Sequence, residues 1–475
     1  MKKPLCGLML CLASLGAQAA LPSEVRDALT LAGIPLERVA VVVQAVDSEQ
    51  ASLTHNSDKS LNPASLMKLV TSNAALELLG PAYRWKTEVY YDGSLNNGVL
   101  DGNLIIKGYG DPNFSAADFW RLLGSLRQVG VQEIKGDLIL DKSYFANNTE
   151  QKTSFDNEVW RAYNALPSAF LVNGRHSSFK FSLQPNKKNE VLIHQEFELP
   201  QLDIINHMRV LPGECGDWRN HMKYAVSSEQ KAGLEQAKSV TFSGSYAADC
   251  GDKFLELSVF NDEQYAYYGF KKLWAELGGK FTGQLKIQER PNQSVKLVEQ
   301  RSQPLSELLR DMNKWSNNLM ARQLLLSIAA EKIAVPARQE DGAMAIKNWF
   351  ISKQAKGDSL LIDNGSGLSR MERISAEALT QMLVQTYRSP LMPEFISSLP
   401  ILAVDGTLMK RLKTSPAAYR AHLKTGSLDG VSAIAGYLLD QQNRRQVLVM
   451  LVNHDKAGAS RAAQDALIEW VYRQP

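Results

Sequence analysis

The chain has 475 residues, and 53 Lys and Arg against 50 Asp and Glu leave a formal net charge of +3. Without a strong basic block, that balance speaks against nucleic acid as a partner. A hydrophobic content of 44% is enough for an ordinary globular core, and the length suggests two or three domains.

The chain opens on Lys2 and Lys3, an apolar run from Leu5 to Leu15 and the small-x-small triplet Ala17-Gln18-Ala19. This is the pattern of a cleavable export signal over residues 1–19. The run is too short to span a bilayer, and no later stretch reads as a membrane helix. Cys11 follows Leu8-Met9-Leu10, which is not a lipoprotein site. The expected product is periplasmic, free of transmembrane segments, and compatible with peripheral membrane or cell-wall association and with oligomers. Cys6 and Cys11 leave with the signal; Cys215 and Cys250 remain, and in an oxidising compartment they are expected to form one disulfide.

Valine-rich Val39 to Val46 predicts a buried strand. Asn62 suits a helix N-cap and Pro63 the first helical position. The apolar face of that helix runs through Leu66, Val70, Ala74 and Leu78, and Gly80 ends it. From Arg84 to Gln288 the texture is of short alternating strands, among them Val99 to Lys107, Asp137 to Asp141 and Ser178 to Leu183. Pro291-Asn292-Gln293 reads as a linker. Leu305 to Met312 and Leu319 to Lys332 have helical periodicity. Ala433 to Leu439 and Gln446 to Val452 read as strands, and a last helix runs from Ser460 to Tyr472. The pattern predicts one α/β domain split by a mainly β insertion of about 200 residues.

Three short motifs occur in order: Ser65-Leu66-Met67-Lys68, Ser316-Asn317-Asn318 and Lys424-Thr425-Gly426. Each alone is weak, and S-x-x-K recurs at Ser177/Lys180 and Ser228/Lys231. Only Ser65 falls at a capped helix start after a buried strand. There Lys68 lies one turn on, on the same face. The positive helix end would stabilise an oxyanion and disfavour a charged lysine, leaving an amine that takes the serine proton. Ser316 offers a hydroxyl for proton relay, and the Asn318 amide a hold on Lys68 or on a substrate carbonyl. Lys424 and Thr425 suit a terminal carboxylate. Gly426 leaves room for substrate to approach, and the N–H groups of Ser427 and Ser65 suit an oxyanion hole. Singly, these segments would read as a cap, a loop and a strand start. Together and in order they form the signature set of penicillin-binding proteins and class A β-lactamases, with Asn317 where that set has Asp. The seven histidines make no H-E-x-x-H, and there is no C-x-x-C or G-x-S-x-G. No metal or organic cofactor is expected.

On these motifs, with Gly110-Asp111-Pro112, Ala165-Leu166-Pro167-Ser168, Gly365-Ser366-Gly367-Leu368-Ser369-Arg370 and Asp405-Gly406-Thr407-Leu408, the chain resembles the class C low-molecular-mass penicillin-binding proteins. The resemblance is to the penicillin-binding protein 4 family of D-alanyl-D-alanine carboxypeptidase/endopeptidases. The long gap between Ser65 and Ser316 is similar to that family's two inserted domains. It implies a serine transpeptidase/β-lactamase-like domain, an antiparallel sheet flanked by helices, over residues 20–83 and 294–475. A second domain would span 84–175 and 253–293, and a third 176–252.

The resemblance also implies Ser65 as acylated nucleophile and Lys68 as base, Ser316 and Asn318 as relay and positioning groups, and Lys424 and Thr425 on the substrate carboxylate. Peptidoglycan stem peptides and β-lactams are the implied ligands. Glu158, Tyr163 and Arg370 are implied to read the stem side chain. Two positions depart from the family pattern: Asn364 where Asp is frequent, and Glu158 where relatives often have Asp. A β-lactamase-like hydrolase and a non-catalytic penicillin or peptidoglycan sensor are the competing readings.

Overall fold

The computed structural model describes residues 20–146, 156, 158–184, 187–229, 237–353 and 359–474. The expected signal, residues 1–19, and Lys231 of the second S-x-x-K copy lie outside the described residues.

A five-stranded antiparallel sheet organises one part of the molecule. Its strands are ordered Leu53–His55, Val39–Ala45, Arg445–Asn453, Val431–Leu439 and Ala421–Leu428. Alternate side chains point to opposite faces of a strand, and here both faces are covered. Ala40, Val42, Ala433, Ala435, Val447 and Val449 join the core beneath the helix Met67–Leu78. Val39, Val41, Val43, Ile434, Leu448 and Met450 face a second core with Val25, Leu29, Leu467 and Val471 of the terminal helices Ser23–Leu31 and Arg461–Tyr472. Burial on both faces is why these strands read as unbroken apolar runs.

The helix after the first strand differs from its sequence reading in two ways. The N-cap position falls on Pro63 and not on Asn62, whose Oδ1 instead accepts the Ala64 N–H at 2.8 Å in a local turn. The next residues form a 3-10 turn, Ala64–Leu66, and the α-helix begins only at Met67. Ala64 at φ 46° breaks the helical path that Pro63 would have started. Nor does the helix bury a single stripe, because every residue from Met67 to Leu76 is buried. Its polar side chains are satisfied by other segments: Thr71 donates to the Gly365 carbonyl at 2.7 Å, and Ser72 bonds Asn313.

The mainly β insertion centres on a mixed sheet ordered Leu285–Ile287, Leu138–Asp141, Leu104–Gly108, Lys86–Tyr91 and Val295–Arg301. The last strand follows the expected linker, so the chain adds to this sheet before it reaches the helix Leu305–Lys314. The run expected as one strand from Val99 to Lys107 is two, Val99–Asp101 and Leu104–Gly108, lying in different sheets. Gly102 divides them, tucked so close that a Cβ would sit 2.0 Å from the Asp92 carbonyl oxygen. Two helices that the alternating texture hid, Ala116–Gln128 and Asp262–Glu276, each start with a capping box. A four-stranded sheet, ordered Lys280–Phe281, Glu133–Ile134, Val99–Asp101 and Ser94–Asn96, and two three-stranded sheets complete the described part of the insertion. One three-stranded sheet has Ser177–Gln184 at its centre and the other Ala237–Ala247. Cys215 and Cys250 are joined in a disulfide beside the latter. Among the described residues, no helix is long and apolar enough to cross a membrane.

Candidate active site

Ser65 lies in the 3-10 turn, half-buried, and its placement depends on three close approaches. Gly367 abuts the Ala64 carbonyl and Ser65 N so tightly that a Cβ would fall 2.0 Å and 2.6 Å from them. Asn62 Nδ2 donates to the Ser369 carbonyl at 2.9 Å. On the other side, a Cβ at Gly426 would lie 2.5 Å from the Pro63 carbonyl oxygen and 3.2 Å from Ser65 N. The protein's own turn therefore requires glycine at 426.

Lys68, one turn after Ser65, is fully buried. Its Nζ donates to Ser65 Oγ at 3.0 Å, to Asn318 Oδ1 at 2.6 Å and to the Ser366 carbonyl. Of the two roles open to the Asn318 amide, the structure shows the hold on Lys68. Asn317 is the N-cap of the helix Asn318–Lys332, its Oδ1 accepting the Met320 N–H. Ser316, at φ 58°, turns the chain between that helix and the one before it.

Lys424-Thr425-Gly426-Ser427 lies within the edge strand Ala421–Leu428, which precedes and pairs with the apolar strand Val431–Leu439. Lys424 is fully buried and donates from Nζ to Ser316 Oγ at 2.8 Å and to its neighbour's carbonyl at Thr425. Thr425 Oγ1 lies 3.0 Å from Thr407 Oγ1, and Ser427 is exposed. The three motifs thus form a chain of contacts from Ser65 through Lys68 to Asn318, and from neighbouring Ser316 to Lys424.

Burial sets the charges here. It holds Lys68 well below the usual lysine range; the nearby positive charge of Lys424 pushes the same way, and Glu372 opposes. Burial also lowers Lys424, to about 7. Lys424 therefore has an accessible neutral form near neutrality, and burial displaces Lys68 in the same direction.

The three residues expected to read a stem side chain are not brought into one cluster by the contacts seen. Tyr163 donates its hydroxyl to Asp156 Oδ2 at 2.8 Å, not to Glu158. Asp156 also accepts from Asn164 Nδ2 at 2.6 Å. Glu158 is exposed and receives Arg161 Nε at 3.4 Å. Arg370 donates to the Asp429 carbonyl at 2.6 Å. Asp156 lies two residues before Glu158, the acid on which the family resemblance falls. Among the described residues, no group of three or more His, Cys, Asp or Glu converges as metal ligands would.

A family model, that of the D-Ala-D-Ala carboxypeptidase 3 (S13) family, matches residues 21–474. The chain belongs to this family. It is 26% identical over 444 residues to a D-alanyl-D-alanine carboxypeptidase DacB of Haemophilus influenzae, covering 88% of this chain and 86% of that protein. It is also 26% identical over 439 residues to a D-alanyl-D-alanine carboxypeptidase of an Actinomadura species, covering 90% and 79%. The crystal structure of penicillin binding protein 4 from H. influenzae superposes with a TM-score of 0.76 at 24% identity, covering 95% of this chain and 99% of that one. The fold is that of the penicillin-binding peptidases.

In this S13 peptidase, the remaining sequence motifs support the site from behind. Asp405 pairs with Lys314 at 2.5 Å, and Gly406 lies against the Lys314 carbonyl, which fixes the chain just before Ser316. Thr407 then meets Thr425. Gln323, on the Asn318 helix, accepts the Ser168 N–H at 3.0 Å and donates to the Ser168 carbonyl at 2.9 Å and to the Gly110 carbonyl at 3.4 Å. The Gly110 and Ala165-to-Ser168 motifs are thus clasps joining the insertion to the catalytic helix. Ser366 falls within the Gly365-to-Arg370 motif, but nothing in the sequence pointed to its carbonyl or to Glu372.

Proposed function

We propose that this protein is a serine DD-peptidase that cleaves D-Ala-D-Ala ends and D-Ala-diaminopimelate cross-links of peptidoglycan through an acyl-enzyme on Ser65. One observation carries the reading: the Lys68 amine is buried and bonded at once to Ser65 Oγ and Asn318 Oδ1. A lysine kept from its charge by burial takes the Ser65 proton as Oγ attacks the D-alanine carbonyl carbon. The oxyanion forms against the N–H groups of Ser65 and Ser427. As the carbon–nitrogen bond breaks, the departing amine collects a proton by way of Ser316, which touches Lys424. Water then attacks the ester and frees Ser65. Lys424 and Thr425 receive the substrate's carboxylate, and an extended peptide runs beside the outer side of the edge strand.

Both bonds follow a D-alanine carbonyl, so one acylation step serves both. β-Lactams are the expected inhibitors because they present an acylating carbonyl and a carboxylate to the same groups. The signal-like residues 1–19 and the disulfide support a periplasmic location. D-Alanine release from a muropeptide pentapeptide, with muropeptide dimers as the second substrate, tests the reading. A protein that is acylated by penicillin but releases no D-alanine and opens no dimer would instead be a sensor.

A further inference from the structure

Behind the Lys68 amine lies a carboxyl that takes no part in the proposed proton transfers. Glu372 is fully buried. Its Oε1 accepts the backbone N–H groups of Asp363, Asn364 and Gly365 at 3.3, 3.1 and 2.9 Å. Its Oε2 is enclosed and meets no hydrogen-bond donor among the described residues. The peptide these bonds hold leads directly to Ser366, whose carbonyl receives Lys68 Nζ. The same short loop is braced twice more: Thr71 donates to the Gly365 carbonyl, and Asn364 Oδ1 accepts the Ser366 N–H at 3.0 Å and its hydroxyl at 2.6 Å.

We propose that Glu372 is a positioning residue for Lys68, fixing the Ser366 carbonyl that grips the amine and setting a negative charge behind the ammonium formed when Ser65 is deprotonated. The inference rests on the peptidase reading. A buried acid costs free energy unless its charge is used, and three converging N–H groups are a cradle for a carboxylate. The charged groups facing the pair are few. Lys68 is opposed by Lys424 and favoured by Glu372, while Glu372 feels Asp363 as a like charge and Lys68 as an opposite one. Burial raises Glu372 to about 7 and lowers Lys68. The two shifts bring their proton affinities closer together.

The departure at Asn364 fits this arrangement. With an amide there, the loop carries its acid at Glu372, inside the fold, and Asn364 is free to bond Ser366 and, through Nδ2, the Leu368 carbonyl.

The test is the pH profile of penicillin acylation in the full-length mature protein. Glu372→Gln keeps the shape and an oxygen for the loop N–H groups but removes the charge. Lys68 then loses its proton more readily, and the ascending limb of the profile moves about one pH unit to the acid side. A limb that stays in place or moves to higher pH overturns the proposal, even if the rate falls, since a purely structural residue would change rate alone. Glu372→Asp keeps the charge but shortens the reach. It is expected to slow acylation several-fold with the limb unmoved, and a displaced limb in this variant also overturns the proposal should the Gln variant not fold. If the parent protein is not acylated at Ser65 at all, the peptidase reading fails; if it is acylated and the limbs coincide, only the assignment of Glu372 fails.

Discussion

Lys68 Nζ and Asn318 Oδ1 are 2.6 Å apart across 250 residues of sequence, and the whole insertion lies in the loop between them. The contact joins the two central helices at their starts. The serine turn and the lysine edge strand are held against it from either side, by Gly367 and Gly426. Replacement of any one of these residues is expected to act on the others' positions.

Labelled penicillin should modify Ser65, and Ser65→Ala should abolish labelling without unfolding the protein. Lys68→Arg should slow acylation by about 10²–10⁴-fold, the usual contribution of a positioned base, because arginine offers no neutral form. Peptide mass spectrometry locates the adduct. Ser177, the rival S-x-x-K serine, is buried in a strand, with Lys180 paired to Asp252; an adduct there would contradict the assignment.

Lys424→Arg should retain more activity than Lys68→Arg, since its expected task is to attract a carboxylate. Its burial adds a stability signature. Lys424 is lowered from 10.5 to about 7 in the folded protein. Between those values the unfolded chain holds a proton that the folded one has released, so this group makes stability rise with pH across that window and leaves it level below. Lys424→Met should flatten the rise in thermal midpoint between pH 7 and 9 and stabilise the protein at pH 6 by at least about 1 kcal/mol. Parallel melting curves of the two proteins decide it.

Gly426→Ala should be costly despite its size. The added carbon meets the Pro63 carbonyl at 2.5 Å, and relief requires the Ser65 turn to move. Overpacking of this kind costs about 1–3 kcal/mol. Spent on the geometry of the nucleophile, it corresponds to a roughly 10–100-fold slower acylation, read by stopped-flow with a chromogenic β-lactam.

The disulfide should matter to the insertion alone. Its loop spans a sequence separation of 35, for which chain entropy gives roughly 4 kcal/mol in the loop-closure treatment. A Cys215→Ser/Cys250→Ser double variant is expected to keep penicillin acylation and to exchange amide hydrogens faster in Leu202–Leu211 and Ala237–Ala247. Loss of acylation in a folded variant would show that the link reaches the site.

Substrate choice should be separable from acylation. Arg370→Ala and Glu158→Ala should slow hydrolysis of diaminopimelate-containing peptides while leaving penicillin acylation nearly unchanged, since penicillin lacks that side chain. Asp156, which holds Tyr163, adds a comparison: Asp156→Asn should have the larger effect if the tyrosine's position is what counts. Equal loss of both reactions in any of these variants would assign the residue to folding or core catalysis instead.

Much of this protein is determined by its sequence. The three motifs are local chemical patterns, and their order along the chain carried the family resemblance that implied the reaction before any geometry. Apolar strands and helical periodicity are likewise nearest-neighbour properties of the chain, so the terminal sheet and the helix after Ser316 were legible. The tertiary structure decided what depends on distant segments meeting. Burial and the charge of Lys424 displace Lys68 below the usual lysine range, and no window of sequence contains that burial. Gly426 and Gly367 are glycines because the Ser65 turn passes between them. Asp156, not Glu158, meets Tyr163, since the path of the chain and not residue spacing fixes which acid arrives. Glu372 gains its meaning only once the loop it holds is seen to carry the carbonyl on Lys68. Pattern is written along the chain, whereas desolvation and close approach are properties of the space that the folded chain encloses.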